Sequence, residues 1–120
     1  MTPDLHGDEK NLRRWQRYEI DCRVKLSYVR EGKKYVNYGR SQDMSIGGMM
    51  LTSAADLRAG ERVELEFLPP NMPEVLRLDG VVRQQPGNYS YGLEFRDVTD
   101  EQRRLVRRMF EVLNVIESLK

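Results

Sequence analysis

Residues 18–29 read Tyr-Glu-Ile-Asp-Cys-Arg-Val-Lys-Leu-Ser-Tyr-Val, and this stretch decides the fold class. Apolar or aromatic residues alternate in it with charged or small ones. An alternation with a period of two residues is typical of a half-buried β-strand, which keeps one face on a core and the other in water. The stretch therefore predicts a strand in an antiparallel, all-β domain.

Further short strands follow at regular spacing. Residues 30–34 predict a hairpin loop, and the return strand runs from Tyr35 toward Ser41 and delivers Asp43 at its end. The same kind of pattern predicts strands over 49–52, 63–67, 75–82 and 91–95, with a loop at 85–88. Six short strands indicate a small antiparallel barrel over residues 18–97.

A helix is predicted over residues 99–118. Thr99 and Gln102 have the spacing of a capping box, in which each side chain bonds the other's backbone N–H. Apolar residues then recur at helical spacing and predict a face that packs on the barrel: Leu105, Val106, Met109, Phe110, Leu113 and Ile116. Val112 and Leu119 widen this stripe, which indicates either a wide contact with the barrel or a self-association face.

Composition indicates one water-soluble domain in a chain of 120 residues. Residues 1–11 are polar and show no period, so we expect a flexible tail followed by the domain over 12–120. The sequence has no secretory signal and no apolar run long enough to cross a membrane. The single cysteine, Cys22, excludes an intramolecular disulfide and favours a cytoplasmic location.

The inventory of side chains argues against catalysis. One cysteine and one histidine, His6 in the tail, do not readily assemble a nucleophile with its base, and no metal-binding or phosphate-loop motif is present. We therefore expect no enzyme activity, no metal and no cofactor. A net charge of +1 gives no global attraction for nucleic acid or an anionic membrane, so we expect neither as a partner.

Two polar clusters point to a ligand. Arg13 and Arg17 form an Arg-x-x-x-Arg motif, and their planar guanidinium groups match phosphate oxygens and the acceptor edge of guanine. Asp43 and Ser45 open an Asp-x-Ser-x-x-Gly motif, in which a carboxylate suits the donor edge of the base. Glycines at positions 47 and 48 let backbone N–H groups approach a ligand closely. Together these parts suit a small anion that carries guanine.

These clusters, in this order, resemble the PilZ domains, which bind the bacterial second messenger cyclic di-GMP. The resemblance runs from about residue 12 to the end. It extends over Gly60-x-x-Val63-x-Leu65-x-Phe67-x-Pro69, Asp79-Gly80-Val81-Val82-Arg83, Tyr91-Gly92-Leu93-Glu94-Phe95 and the helix from Thr99. It implies a split six-stranded antiparallel barrel with one C-terminal helix.

The resemblance also implies a set of ligand-binding residues: Arg13, Arg14, Arg17, Asp43, Ser45, Gly47 and Gly48, with Arg83 as a possible further contact. Arg14 either points away from the site or stacks on a guanine. Trp15 is read as an anchor for the arginine segment rather than a stacking platform. The expected protein is a cyclic di-GMP receptor in which the arginine segment orders over the ligand and the signal passes to an unidentified protein partner.

Three questions stay open at this point. A PilZ-like module that has lost its ligand and only binds proteins is the main alternative, and the arginines speak against it. A small barrel for single-stranded nucleic acid would need exposed aromatic residues along a basic groove, for which Tyr35, Tyr38, Tyr89 and Tyr91 are the candidates. We expect a monomer or weak homodimer, with one ligand per chain because Leu12 stands where another arginine would help hold a second.

Overall fold

A computed structural model describes residues 17–119. The elements are β1 (Tyr18–Glu19), β2 (Arg23–Arg30), β3 (Lys33–Ser45), β4 (Gly48–Ser53), β5 (Arg62–Phe67), β6 (Leu76–Gly87), β7 (Ser90–Arg96) and α1 (Asp100–Ser118). Strands β2 to β7 pair antiparallel in the closed ring β3-β2-β5-β6-β7-β4, and β4 returns to β3. The short β1 pairs with β3. The predicted fold, a six-stranded antiparallel barrel with a C-terminal helix, is confirmed.

The alternating residues of the strands fill the inside of the barrel. Five strands contribute side chains that are at most 1% exposed: Val24, Leu26, Leu51, Leu65, Leu78 and Leu93. Burial of a side chain of this size stabilises the fold by about 1.5–3 kcal/mol. The period seen in the sequence therefore decides which face of each strand turns inward.

The first predicted strand is interrupted between Glu19 and Arg23, and Ser41 explains the break. The Ser41 hydroxyl donates to the carbonyl of Ile20 and accepts from the backbone N–H of Cys22 at 3.0 Å. The backbone N–H of Ile20 donates to the carbonyl of Gln42 at 3.3 Å. The register of β3 against β4 also shifts between Ser41 and Asp43. A buried hydroxyl thus replaces part of the strand ladder, which alternation alone does not predict.

Two hairpin turns differ in position from the sequence prediction. Glu31 and Gly32 both have positive φ, 53° and 75°, so the first hairpin closes on a two-residue turn with the twist that adjacent strands favour. The predicted loop at 85–88 falls mostly within β6, which continues to Gly87, and Tyr89 in the turn has φ of 64°. In both cases the strands are longer than their apolar pattern.

The capping box at the start of α1 is present, with Thr99 and Gln102 bonding each other's backbone N–H. Val106, Met109 and Phe110 are the buried helix residues. The Tyr18 ring lies 5.1 Å from that of Phe110, so β1 packs on the helix. Within residues 17–119 no helix is both long and apolar enough to cross a membrane.

Candidate functional site

The Asp-x-Ser-x-x-Gly motif lies on the outer surface of the barrel. Strand register places its residues in two neighbouring rows: Glu19, Asp43, Met50 and Gly92 in one, and Ser45, Gly48 and Glu94 in the other. Residues two apart on a strand share a face. Since the intervening Met44, Met49 and Leu93 are at most 1% exposed, these rows face away from the core.

Arg17 and Asp43 form an ion pair at one side of these rows. Nε and Nη2 of Arg17 each lie 2.6 Å from Oδ1 of Asp43. The two side chains are 29% and 32% exposed, so water and ions reach both. Among residues 17–119 both of these contacts go to Oδ1 of Asp43, and Oδ2 is a further acceptor of the same carboxylate. This pair joins the second arginine of the first motif to the aspartate of the second.

Ser45 shapes the turn between β3 and β4. Its hydroxyl oxygen accepts from the backbone N–H of Gly47 at 3.2 Å, and Ser45 is 0% exposed. The Gly47 carbonyl accepts from the backbone N–H of Phe95 at 2.9 Å, which ties the turn to β7. A serine hydroxyl that bonds its backbone two residues on is a common turn device. In this conformation Ser45 positions the turn, and its contact with a ligand stays a prediction.

Arg83 lies on the other side of the rows and contacts Glu94. Nε of Arg83 donates to Oε1 of Glu94 at 2.9 Å, and Nη1 of Arg96 lies 3.5 Å from the same oxygen. The Cα of Glu94 is paired with that of Gly48 in the ladder. Glu94 is thus contacted by two guanidinium groups, which could also bind an anionic ligand.

The structure brings together Arg17, Asp43, Ser45, Gly47 and Gly48 at one end of the β3–β4 hairpin, with Arg83 across the rows beside Glu94. Arg13 and Arg14 lie outside the described residues. Sequence reasoning missed Glu94, Met50 and Gly92 as neighbours of the site. The Tyr91–Phe95 segment signalled two of these positions, but pairing between β4 and β7 was needed to place them.

The nucleic-acid alternative requires a groove of exposed aromatic side chains, and the tyrosines do not form one. Tyr91 is 2% exposed and its hydroxyl donates to the carbonyl of Ala55 at 2.7 Å. Tyr35 stacks on a neighbouring tyrosine at 5.4 Å. Tyr38 and Tyr89 are exposed and border an open groove of about 690 Å³. Two aromatic side chains are a poor platform for a run of stacked bases.

Cys22 does not present a reactive thiol. It is buried against the core, and desolvation by burial raises the pKa of its thiol above the usual value, more than the hydrogen bond with Ser41 lowers it. A raised pKa keeps the sulfur protonated and poorly nucleophilic at neutral pH.

Comparison with known proteins identifies the family. Residues 11–111 match the sequence profile of the PilZ domain, so the chain belongs to the PilZ domain family. PilZ domains are receptor and effector modules, and cyclic di-GMP is the ligand that the family binds. A search of curated proteins found no match.

Solved structures with the same fold include the PilZ domain of CeSA from a cellulose-synthesizing bacterium. It is 19% identical, with a TM-score of 0.63, and the alignment covers 81% of this chain and 97% of that one. The PilZ domain of YcgR from Escherichia coli, solved with c-di-GMP, is 19% identical, with a TM-score of 0.60 and coverage of 88% and 94%. The inhibitor of motility MotI/DgrA of Bacillus subtilis is 16% identical, with a TM-score of 0.55 and coverage of 81% and 51%.

Proposed function

We propose that this protein is a cytoplasmic receptor for cyclic di-GMP and transmits its signal through the arginine segment. The observation that carries the proposal is the ion pair between Arg17 and Asp43, which unites the two motifs on one outward face of the barrel. Membership of the PilZ domain family supports cyclic di-GMP as the ligand. The residues that would bind it are Arg13, Arg14, Arg17, Asp43, Ser45, Gly47 and Gly48, with Arg83 as a further contact.

In this proposal the Arg17–Asp43 pair exchanges partners when the ligand binds. A phosphate competes with the carboxylate for the guanidinium of Arg17, because each offers a pair of negatively charged oxygens that accept from the same fork of N–H donors. Asp43 then accepts N–H groups from the guanine edge, since a carboxylate offers acceptors only. Because the pair is about one-third exposed, breaking it costs little, about 0–1 kcal/mol by analogy with surface pairs.

Gly48 and Arg83 complete the proposed site. Gly48 has no side chain, so a ligand could approach the barrel wall there between Asp43 and Arg83, whereas the side chains of Met50 and Gln84 already lie against Gly92. Residues upstream of Arg17 would close over the ligand and bring Arg13 to it. Ordering of a segment on binding links occupancy to a change of surface, which is how the signal would reach a partner protein.

A competing proposal is a PilZ domain that binds only proteins. It predicts no saturable binding of any nucleotide and unchanged hydrogen exchange in the arginine segment. The intact motifs support the receptor, because Arg17 and Asp43 lie together on the face where the proposal places the ligand.

The test is calorimetric titration of the full chain with cyclic di-GMP, beside GTP, cyclic AMP and a short single-stranded oligonucleotide. We expect saturable binding of cyclic di-GMP alone. Binding of the oligonucleotide with equal strength, or of no nucleotide at all, would reject the proposal. An Arg23→Ala variant serves as a control for the loss of one arginine, because Arg23 lies over Tyr38 and is not among the proposed site residues.

A further inference from the structure

A partly enclosed groove of about 370 Å³ lies between the β3–β4 turn and α1. We call it the Ile46 groove. Apolar side chains form its walls and two arginines stand at its border: Ile46, Phe95, Val98 and Val106, with Arg103 and Arg107. Among residues 17–119 no carboxylate lines it. An apolar groove with a wholly cationic border suits a ligand that has an apolar body and negative charges.

The arginine charges beside the groove are not taken up by the protein's own fold. Arg107 and its neighbour Arg108 form no hydrogen bond or ion pair with another residue of the described range. Arg103 lies 3.5 Å from Asp100, whose side chain is fully exposed. The last turn of α1, where cations stabilise a helix, has no basic residue. These arginines are therefore available to a negatively charged partner.

Ile46 gives the groove an apolar surface that water reaches. It is 47% exposed, whereas Phe95 and Val106 are 8% and 4% exposed. A single exposed apolar residue needs no explanation by itself, but Ile46 lies in one groove with two arginines. An apolar side chain seated there would cover Ile46 and remove apolar surface from water, which favours binding.

From these observations we propose that the Ile46 groove docks an acidic segment of a partner protein, in which one apolar side chain stands between two carboxylates. Arg103 and Arg107 are four residues apart in the helix, which is about 6 Å along its axis. In an extended peptide, alternate side chains share a side and are about 6.6 Å apart. Two alternate carboxylates therefore match the two arginines, and the residue between them points the other way, toward Ile46.

The make-up of the groove favours a protein segment over nucleic acid or a membrane. Nucleic acid would need exposed ring faces for stacking, and Phe95, the aromatic residue among the described lining, is only 8% exposed. An anionic membrane is attracted by an uninterrupted basic cluster, whereas Asp100 and Glu111 lie among the arginines on the outer side of α1. The apolar walls add nothing to either of these contacts, but they do accept a side chain.

The groove shares its turn with the proposed ligand site. Ile46 lies between Ser45 and Gly47, and the Gly47 carbonyl accepts from the backbone N–H of Phe95 at 2.9 Å. Two walls of the groove are thus joined through this turn. A ligand that changes the turn would change the groove, and ligand and partner would then alter each other's affinity by the same factor. Docking itself needs no ligand, whereas this coupling rests on the proposed function.

The probe is a blocked peptide, Gly-Glu-Leu-Glu-Gly, titrated into the full-length protein without cyclic di-GMP and followed by two-dimensional amide NMR. We expect the largest shifts at Ile46, Val98 and Arg107. Two control peptides each lack one half of the proposed chemistry: Gly-Glu-Ser-Glu-Gly has no apolar anchor, and Gly-Gln-Leu-Gln-Gly has no carboxylate. Each should bind at least about fivefold more weakly. No shifts at the groove with the first peptide in excess would overturn the proposal.

Arg107→Gln should weaken binding of the first peptide by about fivefold. Arg108→Gln is the matched control, because Arg108 carries the same charge one position further, is equally an exposed helix residue and does not border the groove. It should bind the peptide like the wild type. Both arginines are exposed, so neither change removes a core contact, and the amide spectrum of each variant checks the fold. Equal weakening in the two variants would show general attraction between charges and would overturn the docking.

Vesicles of phosphatidylglycerol and a short single-stranded oligonucleotide are titrated in parallel. Binding of either one at the arginines, with none of the peptide, would reject the proposal in favour of a membrane or a nucleic acid. Calorimetry with cyclic di-GMP is scored separately. Peptide docking on a chain that does not bind cyclic di-GMP would retain the groove and reject the receptor, and the opposite result would retain the receptor alone.

Discussion

Arg17 and Asp43 are 26 residues apart in sequence, yet Nε and Nη2 of Arg17 each lie 2.6 Å from Oδ1 of Asp43. The pairing of β1 with β3 produces this contact, because Glu19 stands opposite Asp43 and Arg17 is two residues before Glu19 on the same face. The contact places a guanidinium and a carboxylate, the two groups needed for a guanine nucleotide, at one point of the surface.

Arg17→Ala and Arg13→Ala should each weaken cyclic di-GMP binding without unfolding the domain. Loss of a hydrogen bond to a charged group costs about 1.5–3 kcal/mol, which is roughly a ten- to hundredfold change in affinity. Calorimetry measures the affinity, and thermal unfolding checks the fold. Both variants binding like the wild type would show that the arginines are not in the site.

Asp43→Ala should weaken binding of cyclic di-GMP more than binding of pyrophosphate, used as a phosphate without a base. A carboxylate repels phosphate and helps only by accepting from the base. Competition of the two ligands for the wild-type and variant proteins measures the ratio. If both affinities fall by the same factor, Asp43 only shapes the turn.

Backbone amides of residues 8–17 should exchange rapidly in the free protein and become protected when cyclic di-GMP binds. These residues carry no apolar period that would hold them to the barrel, so their protection must come from the ligand. Hydrogen exchange with and without ligand compares the two states. The β5 amides, within the closed ring, are an internal control that should not change.

One ligand molecule should bind per chain. A stacked pair of cyclic di-GMP molecules carries four phosphate charges, and Leu12 offers no cation where an arginine would add one. Leu12→Arg should therefore favour two ligands. A stoichiometry of two for the wild-type protein would contradict this and would point to Arg14 as the extra cation.

Stability should fall in acid partly through Glu61. Two hydrogen bonds from Arg30, at 2.7 and 2.9 Å, hold the pKa of the Glu61 carboxyl below its usual value, against the smaller opposing effect of burial. A carboxyl with a lowered pKa in the folded state stabilises the fold above its unfolded pKa, and the contribution is lost as pH falls through the folded pKa. Stability from this pair is thus present at pH 7 and lost below about pH 4.

Urea unfolding of Glu61→Gln should accordingly show destabilisation at pH 7, and the difference from wild type should shrink as the pH falls below the usual glutamate pKa of about 4.3. Glu66→Gln is the matched control, because Glu66 contacts Arg77 in a more exposed pair and should change stability less. Equal effects of Glu61→Gln above and below this pKa would exclude the charged pair as the cause.

Sequence alone predicted the closed barrel, because alternation in β2 and β5 reports directly which residues face the core. It also predicted the start of the helix, since the capping pair of Thr99 and Gln102 is local. It did not predict the break at Ser41, where a buried hydroxyl replaces ladder bonds from a residue about 20 positions away. Such a contact does not appear as a periodic pattern in the sequence.

The same limit applies to the candidate site. Arg17 and Asp43 were both singled out from their motifs, but their ion pair depends on the register between β1 and β3. Glu94 was not singled out, because only the β4–β7 pairing brings it beside Gly48. Pairing between strands that are distant in sequence decides these contacts, whereas the spacing of a motif predicts only contacts within one short segment.

The most direct test of the account is a two-dimensional amide NMR titration of the full-length protein with cyclic di-GMP. We predict that the largest shifts occur at Gly47, Gly48, Gly92 and Glu94, together with Arg17, while amides around Tyr38 and Tyr89 change little. Shifts confined to the groove beside Tyr38 and Tyr89, or an unchanged spectrum at saturating ligand, would contradict the claim that this face of the barrel binds cyclic di-GMP.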